Sequence, residues 1–439
     1  MKRPFYIEIP YGDPAILFAP HANTPFAQLL DSAMFDIEQG RYSFIAIDPF
    51  ETFTHDQNSF AELKEKLAAY SFERHPNLPP FQGGVVGYFG YELLHQIERI
   101  PSQAKDDLSV PDICLGFYDV IAAFDHHLKQ AWIFSLFNED RAYWLKSQLL
   151  ENCLPLPTFK PCSLDWKSGF QKDEYIAAVQ SVIDYIHAGD IFQANLTQRF
   201  KGERPDDIDP FAFYLNLRKI NPALFSAYLN FGDFCIASSS PERFLKREGR
   251  QVETRPIKGT RARHPDAAQD QAHATELANS EKDRAENTMI VDLLRNDLSR
   301  VCKPHSVHVP ELCAVHSFAS VHHLVSTITG ELENTYDGID LLCAAFPGGS
   351  ITGAPKVRAM EIISELERCP RGVYCGAIGY IGFDGSMDTN IVIRTVLFKD
   401  KTVCIQVGGG IVADSSPHDE YEETLTKAKA LFDAFARQG

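Results

Sequence analysis

The chain is short of positive charge and of long apolar runs. Its 42 basic residues stand against 59 acidic ones, a net charge of −17 at pH 7, which argues against duplex nucleic acid or an anionic membrane surface as partner. An anionic small molecule stays open, because one local basic pocket overrides the global field. No stretch approaches the ~18 apolar residues that span a bilayer. The start, Met1-Lys2-Arg3-Pro4, leads into mixed sequence rather than the apolar core of a secretory signal. Paired cysteine motifs are missing too. The ten cysteines, at 114, 153, 162, 235, 302, 313, 343, 369, 375 and 404, form no CxxC, and Cys369 and Cys375 are too far apart for a zinc knuckle. They read as reduced small hydrophobes in a cytoplasmic protein. No fixed-period repeat or low-complexity tract is present, which excludes a collagen-like or disordered chain.

What is present is a globular balance, 44% hydrophobic and 23% charged residues, in a chain of 439 residues, too long for one ordinary core. Residues 1–153 read as a small lobe of short strands, among them Phe44-Ile45-Ala46-Ile47 and Val120-Ile121-Ala122-Ala123-Phe124. Residues 154–165 read as a linker, with Pro155, Pro157 and Pro161 favouring an extended connection. Residues 166–439 read as a larger catalytic lobe of mixed α and β structure. Tyr175, Ile176, Val179, Val182, Ile183 and Ile186 recur at helical spacing, with Asp173 as N-cap and Gly189 as stop. From Gln193 to Phe200 polar and apolar residues alternate as in a strand. Helices are predicted around 271–295, 353–367 and 418–436, and strands around 234–239, 376–383, 389–398 and 402–407.

Four constellations could carry chemistry. Asp283 and Glu286 share one helix face, as do Glu420 and Glu423, with Lys427 four residues further on. Like charges on one face oppose helix formation, so a counter-cation would explain them, and hard oxygen ligands suit Mg²⁺. A solvated helix face accounts for the same spacing. Arg394, in the apolar run Ile391–Phe398, needs a carboxylate partner from the protein or from a ligand. Gly83-Gly84, Gly348-Gly349 and Gly408-Gly409-Gly410 complete neither GxGxxG nor a P-loop. Each can offer backbone N–H groups to a carboxylate or simply make a turn. Lys258, in Pro256-Ile257-Lys258-Gly259-Thr260, is a nucleophile if burial or a neighbouring cation lowers its pKa, and a surface lysine otherwise.

Taken together, these segments resemble a known family. Gly83–Glu92 (GGVVGYFGYE), Gly189–Arg199 (GDIFQANLTQR), Ser239–Arg243 (SSPER), Pro256–Thr260 (PIKGT), Ala285–Asp297, Val321–Ser326, Phe346–Lys356, Gly376–Tyr380 and Gly408–Lys427 run in one order over nearly the whole chain. That order resembles the chorismate-utilising enzymes, the synthase subunits for anthranilate, aminodeoxychorismate, isochorismate and salicylate. The resemblance implies an α+β fold, two-lobed, with orthogonally packed antiparallel sheets forming a β-sandwich core and helices outside. Anthranilate synthases carry alanine where this chain has Lys258. A lysine there marks the aminodeoxychorismate-forming branch, which serves 4-aminobenzoate and folate synthesis. The isochorismate and salicylate enzymes activate water with a lysine at the place of Gln193, so water attack is disfavoured here.

The resemblance also implies roles. Glu286 and Glu423 hold Mg²⁺, supported by Asp283 and Glu420. Arg394 and the amides of Gly408, Gly409 and Gly410 clamp the enolpyruvyl carboxylate with Tyr380 nearby, and Lys427 lies near the ring carboxylate. Glu242 is the general acid and Lys258 the nucleophile; His323, Thr260 and Gln193 line the same pocket. Ammonia is the second substrate. No Gly-x-Cys-x-Gly elbow is present, so a separate glutaminase subunit is the expected partner, with ammonium salts able to replace it. No lyase domain is expected to follow the last motif helix. Leu30, Asp31, Ser32, Arg41, Tyr42 and Ser43 resemble the tryptophan pocket of the anthranilate subunits, with Asp31 where glutamate is usual, which raises bound tryptophan as an expectation. Two alternatives stay open: anthranilate synthesis, and a non-catalytic chorismate or tryptophan sensor.

Overall fold

The computed structural model describes residues 2–55, 59–101, 105–152, 154–318 and 321–439. Met1 and Cys153 of the sequence reading therefore lie outside the described residues; the other nine cysteines are unpaired. Two antiparallel sheets carry the architecture, one of 12 strands and one of 10. In the larger, Phe5–Ile9, Gln130–Ser135, Val120–Asp125, Tyr42–Ala46 and Gln28–Asp31 lead into Phe225–Asn230, Phe234–Ser240, Thr395–Lys399, Thr402–Ile411, Gln193–Glu203 and Gly353–Ala354. In the smaller, Ile257–Ala262, Val321–Glu331, Gln251–Thr254, Arg243–Glu248, Met387–Ile391 and Ala377–Gly382 continue into Gly84–Phe89, Ile113–Tyr118 and Glu51–His55. Both sheets therefore draw strands from either side of residues 154–165.

The sheets face each other across apolar side chains from both. Phe44, Ala123 and Phe134 of the larger meet Val86, Tyr118 and Tyr380 of the smaller; Ala227, Leu229 and Ile236 meet Tyr88, Cys114 and Ile378. Helices cover the outer faces. Glu139–Glu151, Pro210–Ile220 and Pro417–Ala436 bury their apolar stripes on the larger sheet, and Glu281–Ser299 and Gly338–Ala345 on the smaller. The proline-rich stretch is extended but not free. Phe159 is buried against Phe213 and Phe435, with ring centroids 5.5 and 6.2 Å away.

Three local expectations change. The helix Lys172–Ala188 is capped by Gln171 and Glu174 in a reciprocal capping box, with Asp173 inside its first turn, while Gly189 ends it at φ 84° as expected. The stretch around 271–295 is two helices, Ala267–Asn279 and Glu281–Ser299; Ser280 closes the first and caps the second by accepting from the Asp283 amide at 3.3 Å. The expected strand 389–398 is two strands in different sheets, Met387–Ile391 and Thr395–Lys399. Both are buried on both faces, so no periodicity marks the break. Arg394 sits at the crossing, with φ 53°.

Candidate active site

Lys258 lies on the strand Ile257–Ala262 of the smaller sheet and Glu242 in the link from Phe234–Ser240 of the larger sheet to Arg243–Glu248 of the smaller, and both approach the turn Gly349–Ile351. Lys258 Nζ donates to the Ser350 carbonyl at 3.1 Å, and the Ser350 side chain lies near enough to the Glu242 carboxyl to favour its ionised form. Burial pushes Glu242 up to about 7, against the opposing pull of the Ser350 side chain and the Lys258 charge. The same desolvation lowers Lys258, with Glu286, Glu242 and Glu423 acting in the other direction. A carboxyl raised to about 7 beside an amine whose charged form burial disfavours brings a proton donor and a nucleophile to one place.

A group of carboxylates faces Lys258 from two helices. Glu286 is raised chiefly by burial and also by Asp283 and Glu423. Glu420 is buried, accepts from Ser415 Oγ at 2.6 Å and is raised by burial and by Glu423. Glu423 pairs with Lys427 at 2.7 Å, and Lys427 Nζ also donates to the Gly408 carbonyl at 3.0 Å. Asp283, near enough to raise Glu286, has its own carboxylate paired with Arg261 at 3.1 Å. A Cβ at Gly409 would lie 3.1 Å from Glu420 Oε2 and 3.6 Å from Glu423 Oε1, so glycine keeps the space before these oxygens open. Among the described residues no three His, Cys, Asp or Glu side chains converge into a ready-made metal cage. Mg²⁺ needs only one or two carboxylates besides water and substrate oxygens, and Glu286, Glu420 and Glu423, close enough for Glu423 to raise the other two, fit that demand.

Arg394 stands near His323 and Tyr374. Desolvation lowers its guanidinium, and among the described residues it has no carboxylate partner. Its charge helps hold His323 down at about 4, chiefly a consequence of burial, so the imidazole is neutral. His323 Nδ1 lies 2.9 Å from Thr260 Oγ1 across a paired position of their strands. The three glycines form no loop: they lie within the strand Thr402–Ile411, with Gly408, Gly409 and Gly410 paired to Thr197, Leu196 and Asn195. Thr395–Lys399 leaves the other edge of this strand after Ile405, so alternate amides beyond that point are free to serve a ligand. Gln193 lies beside Gly410, where a Cβ would fall 2.3 Å from its Nε2; its buried Oε1 has no partner.

Tyr380 does not join this group. It packs on Phe81 and Phe44, at 4.5 and 5.5 Å, inside the core between the sheets. Strand alternation could not tell which face of Ala377–Gly382 meets which cavity. The phenol beside Arg394 is Tyr374, which sequence reasoning missed although it stands just before the matching Gly376 segment. Ser350 was missed as well, because a small residue in a glycine-rich turn carries no signal of its own.

Of the remaining predicted positions, Leu30, Asp31, Ser32, Arg41 and Tyr42 line, with Tyr380, a separate cavity of about 90 Å³, while Ser43 is not among its lining residues. Two carboxylates there are already engaged. Asp31 accepts from Arg218 Nε at 2.6 Å, Tyr214 at 2.9 Å and Ser43 at 3.1 Å. Arg41 pairs with Asp125 at 2.6 Å.

Against known proteins, the model of a family described as chorismate binding enzymes matches residues 30–433. The chain belongs to this family. It is 42% identical to aminodeoxychorismate synthase component 1 of Salmonella typhimurium, covering 98% of this chain and 97% of that protein. It is 40% identical to anthranilate synthase component 1 of Thermus thermophilus, covering 90% and 89%. Its fold matches a crystal structure of anthranilate synthase component I from Streptococcus pneumoniae with a TM-score of 0.81, at 33% identity over 91% of this chain and 94% of that one. Overall identity barely separates the two activities; the residues at the site must.

Proposed function

We propose that the protein aminates chorismate at C4 with ammonia, giving 4-amino-4-deoxychorismate for 4-aminobenzoate and folate synthesis. The observation that carries this reading is Lys258, with its amine lowered by burial and set beside the raised carboxyl of Glu242. Three relatives that span nearly the whole chain and bear the name aminodeoxychorismate synthase component 1 support it.

Arg394, which lacks a carboxylate partner among the described residues, and the edge of Gly408–Gly410 bind the enolpyruvyl carboxylate. Neutral His323 and Thr260 close the pocket without adding charge. Glu242 gives its proton to the C4 oxygen, which leaves as water while the lone pair of Lys258 Nζ forms a bond to C2 and the ring double bonds shift. Ammonia then bonds to C4, the electrons shift back, and Lys258 leaves C2 as an amine; Glu242, now a carboxylate, takes the surplus proton. Glu286, Glu420 and Glu423 would hold Mg²⁺, which supplies a counter-charge for the ring carboxylate when bound. The designation component 1 in the relatives supports a glutaminase partner as the source of ammonia. Tryptophan in the Arg41–Tyr380 cavity belongs to the same reading; mass spectrometry of the denatured protein detects it, and its absence removes it.

The test is product analysis by mass spectrometry from chorismate, Mg²⁺ and ammonium salt. Wild type is expected to yield aminodeoxychorismate and Lys258→Ala to lose it. Anthranilate with pyruvate from both would overturn the reading in favour of anthranilate synthesis, and binding without turnover would make the protein a sensor.

A further inference from the structure

The strand Gln193–Glu203 has Thr402–Ile411 along one edge. On its other edge Gly353–Ala354 covers Gln193 and Ala194, and Lys167–Ser168 covers Phe200 and Lys201. Between those two stretches no strand lies alongside among the described residues, so buried backbone groups there need other partners. Two side chains take the place of the missing strand. Glu367 Oε1 accepts from the Thr197 amide at 2.9 Å and from the Thr197 hydroxyl at 2.8 Å. Arg371 Nη2 donates to the Asn195 carbonyl at 2.7 Å.

Glu367 and Arg371 are themselves buried and pair through two bonds, Nε to Oε2 at 2.9 Å and Nη2 to Oε1 at 2.8 Å. The third arm of the guanidinium, Nη1, donates to the Ile351 carbonyl at 2.8 Å. Ile351 ends the turn in which the Ser350 carbonyl accepts from Lys258 Nζ at 3.1 Å. Asn195 and Thr197, in turn, are paired across the sheet with Gly410 and Gly408. One planar group therefore reaches both halves of the candidate substrate cradle: the strand that aligns the glycines and the turn that holds the amine. The smaller sheet backs it, since Glu92 Oε1 accepts from the Arg371 amide at 2.8 Å and the guanidinium lies 4.6 Å from the centre of the Tyr91 ring. A rigid fork with donors in fixed directions can hold three carbonyl and carboxylate partners at once; an ammonium on a flexible stem cannot.

We propose that the Glu367–Arg371 pair is a positioning clamp that fixes the distance between the Gly408–Gly410 edge and Lys258 Nζ. This rests on the amination reading above. The pair acts through the strand and the turn rather than on the reacting atoms. It decides whether C2 of a ring anchored by its enolpyruvyl carboxylate lies within reach of the amine. Binding needs only the anchor, which the substrate can follow, whereas bond formation needs the spacing.

The experiment compares wild type, Arg371→Lys, Thr197→Val and the double variant in steady-state kinetics with ammonium as the nitrogen source, well below the thermal midpoint of each. Arg371→Lys keeps the charge and loses the fork, and is expected to lower kcat roughly a hundredfold with KM for chorismate nearly unchanged. Thr197→Val keeps the amide bond to Glu367 and the shape of the side chain, and is expected to lose a smaller part of kcat, again at constant KM. The double variant is expected to be no slower than Arg371→Lys, because both changes cut the same link. A lowered thermal midpoint with wild-type kcat in both single variants would make the pair a structural one and overturn the proposal. A KM that rises as far as kcat falls, or losses that multiply in the double variant, would overturn it as well. Should Arg371→Lys not fold, Thr197→Val decides alone, with wild-type kcat counting against the clamp. Anthranilate as the wild-type product would overturn the amination reading and the clamp with it; product and rate come from the same assay, so the two failures are told apart.

Discussion

Glu242 is 5% exposed, and a carboxyl so placed makes folding depend on pH. Burial holds it at about 7 in the folded chain against an ordinary 4.5. Below pH 4.5 both folded and unfolded chains carry the proton, and no penalty arises. Between 4.5 and 7 the unfolded chain releases it while the folded chain keeps it, so stability falls as pH rises; above 7 the full cost is present. That cost is on the order of 3 kcal/mol. Glu242→Gln removes it: the variant should melt higher than wild type at pH 8 and about level with it near pH 4, while losing amination. Thermal melts at the two pH values check this, and equal stabilisation at both would refute it.

Elements place these residues more than local preference does. Arg394 occupies the left-handed region at φ 53° because the chain must turn there from one sheet to the other, a conformation a non-glycine residue adopts only under constraint. Arg394→Ala removes the cation proposed to bind the enolpyruvyl carboxylate, and KM for chorismate should rise roughly a hundredfold with the melting temperature little changed; an unchanged KM would place the clamp elsewhere. Gly409→Ala introduces a Cβ 3.1 Å from Glu420 Oε2. The Mg²⁺ concentration for half-maximal activity should then rise about tenfold to a hundredfold, measured by titration at saturating chorismate. The spacing of acids on the helices Glu281–Ser299 and Pro417–Ala436 was legible in the sequence, since helical period fixes which residues share a face. The placement of Tyr374 and Tyr380 was not. Tyr380 lies on a strand buried on both faces, and only the pairing of Ala377–Gly382 with Gly84–Phe89 decides which cavity it reaches, while Tyr374 is partly buried just before that strand.

For the whole molecule, the order of motifs was legible and the interleaving of the sheets was not. Composition changes at residues 154–165, yet pairing ignores that boundary: Gln28–Asp31 lies against Phe225–Asn230, and Gly84–Phe89 against Ala377–Gly382. Such non-local pairing leaves no trace in local periodicity. Residues 166–439 expressed alone would expose two unpaired strand edges and should be insoluble or lack a cooperative melt. A soluble fragment with a cooperative transition and retained turnover would contradict this. Among the described residues no helix is long and apolar enough to cross a membrane.

The crossing at Arg394 has one more consequence. The residue proposed to grip the substrate sits on the strap between the two sheets, so a slight slide of one sheet over the other would be felt first as a change in grip. Variation in the distant core, where Tyr380 packs on Phe44 and Phe81, can therefore retune affinity over generations without altering a single residue that meets chorismate.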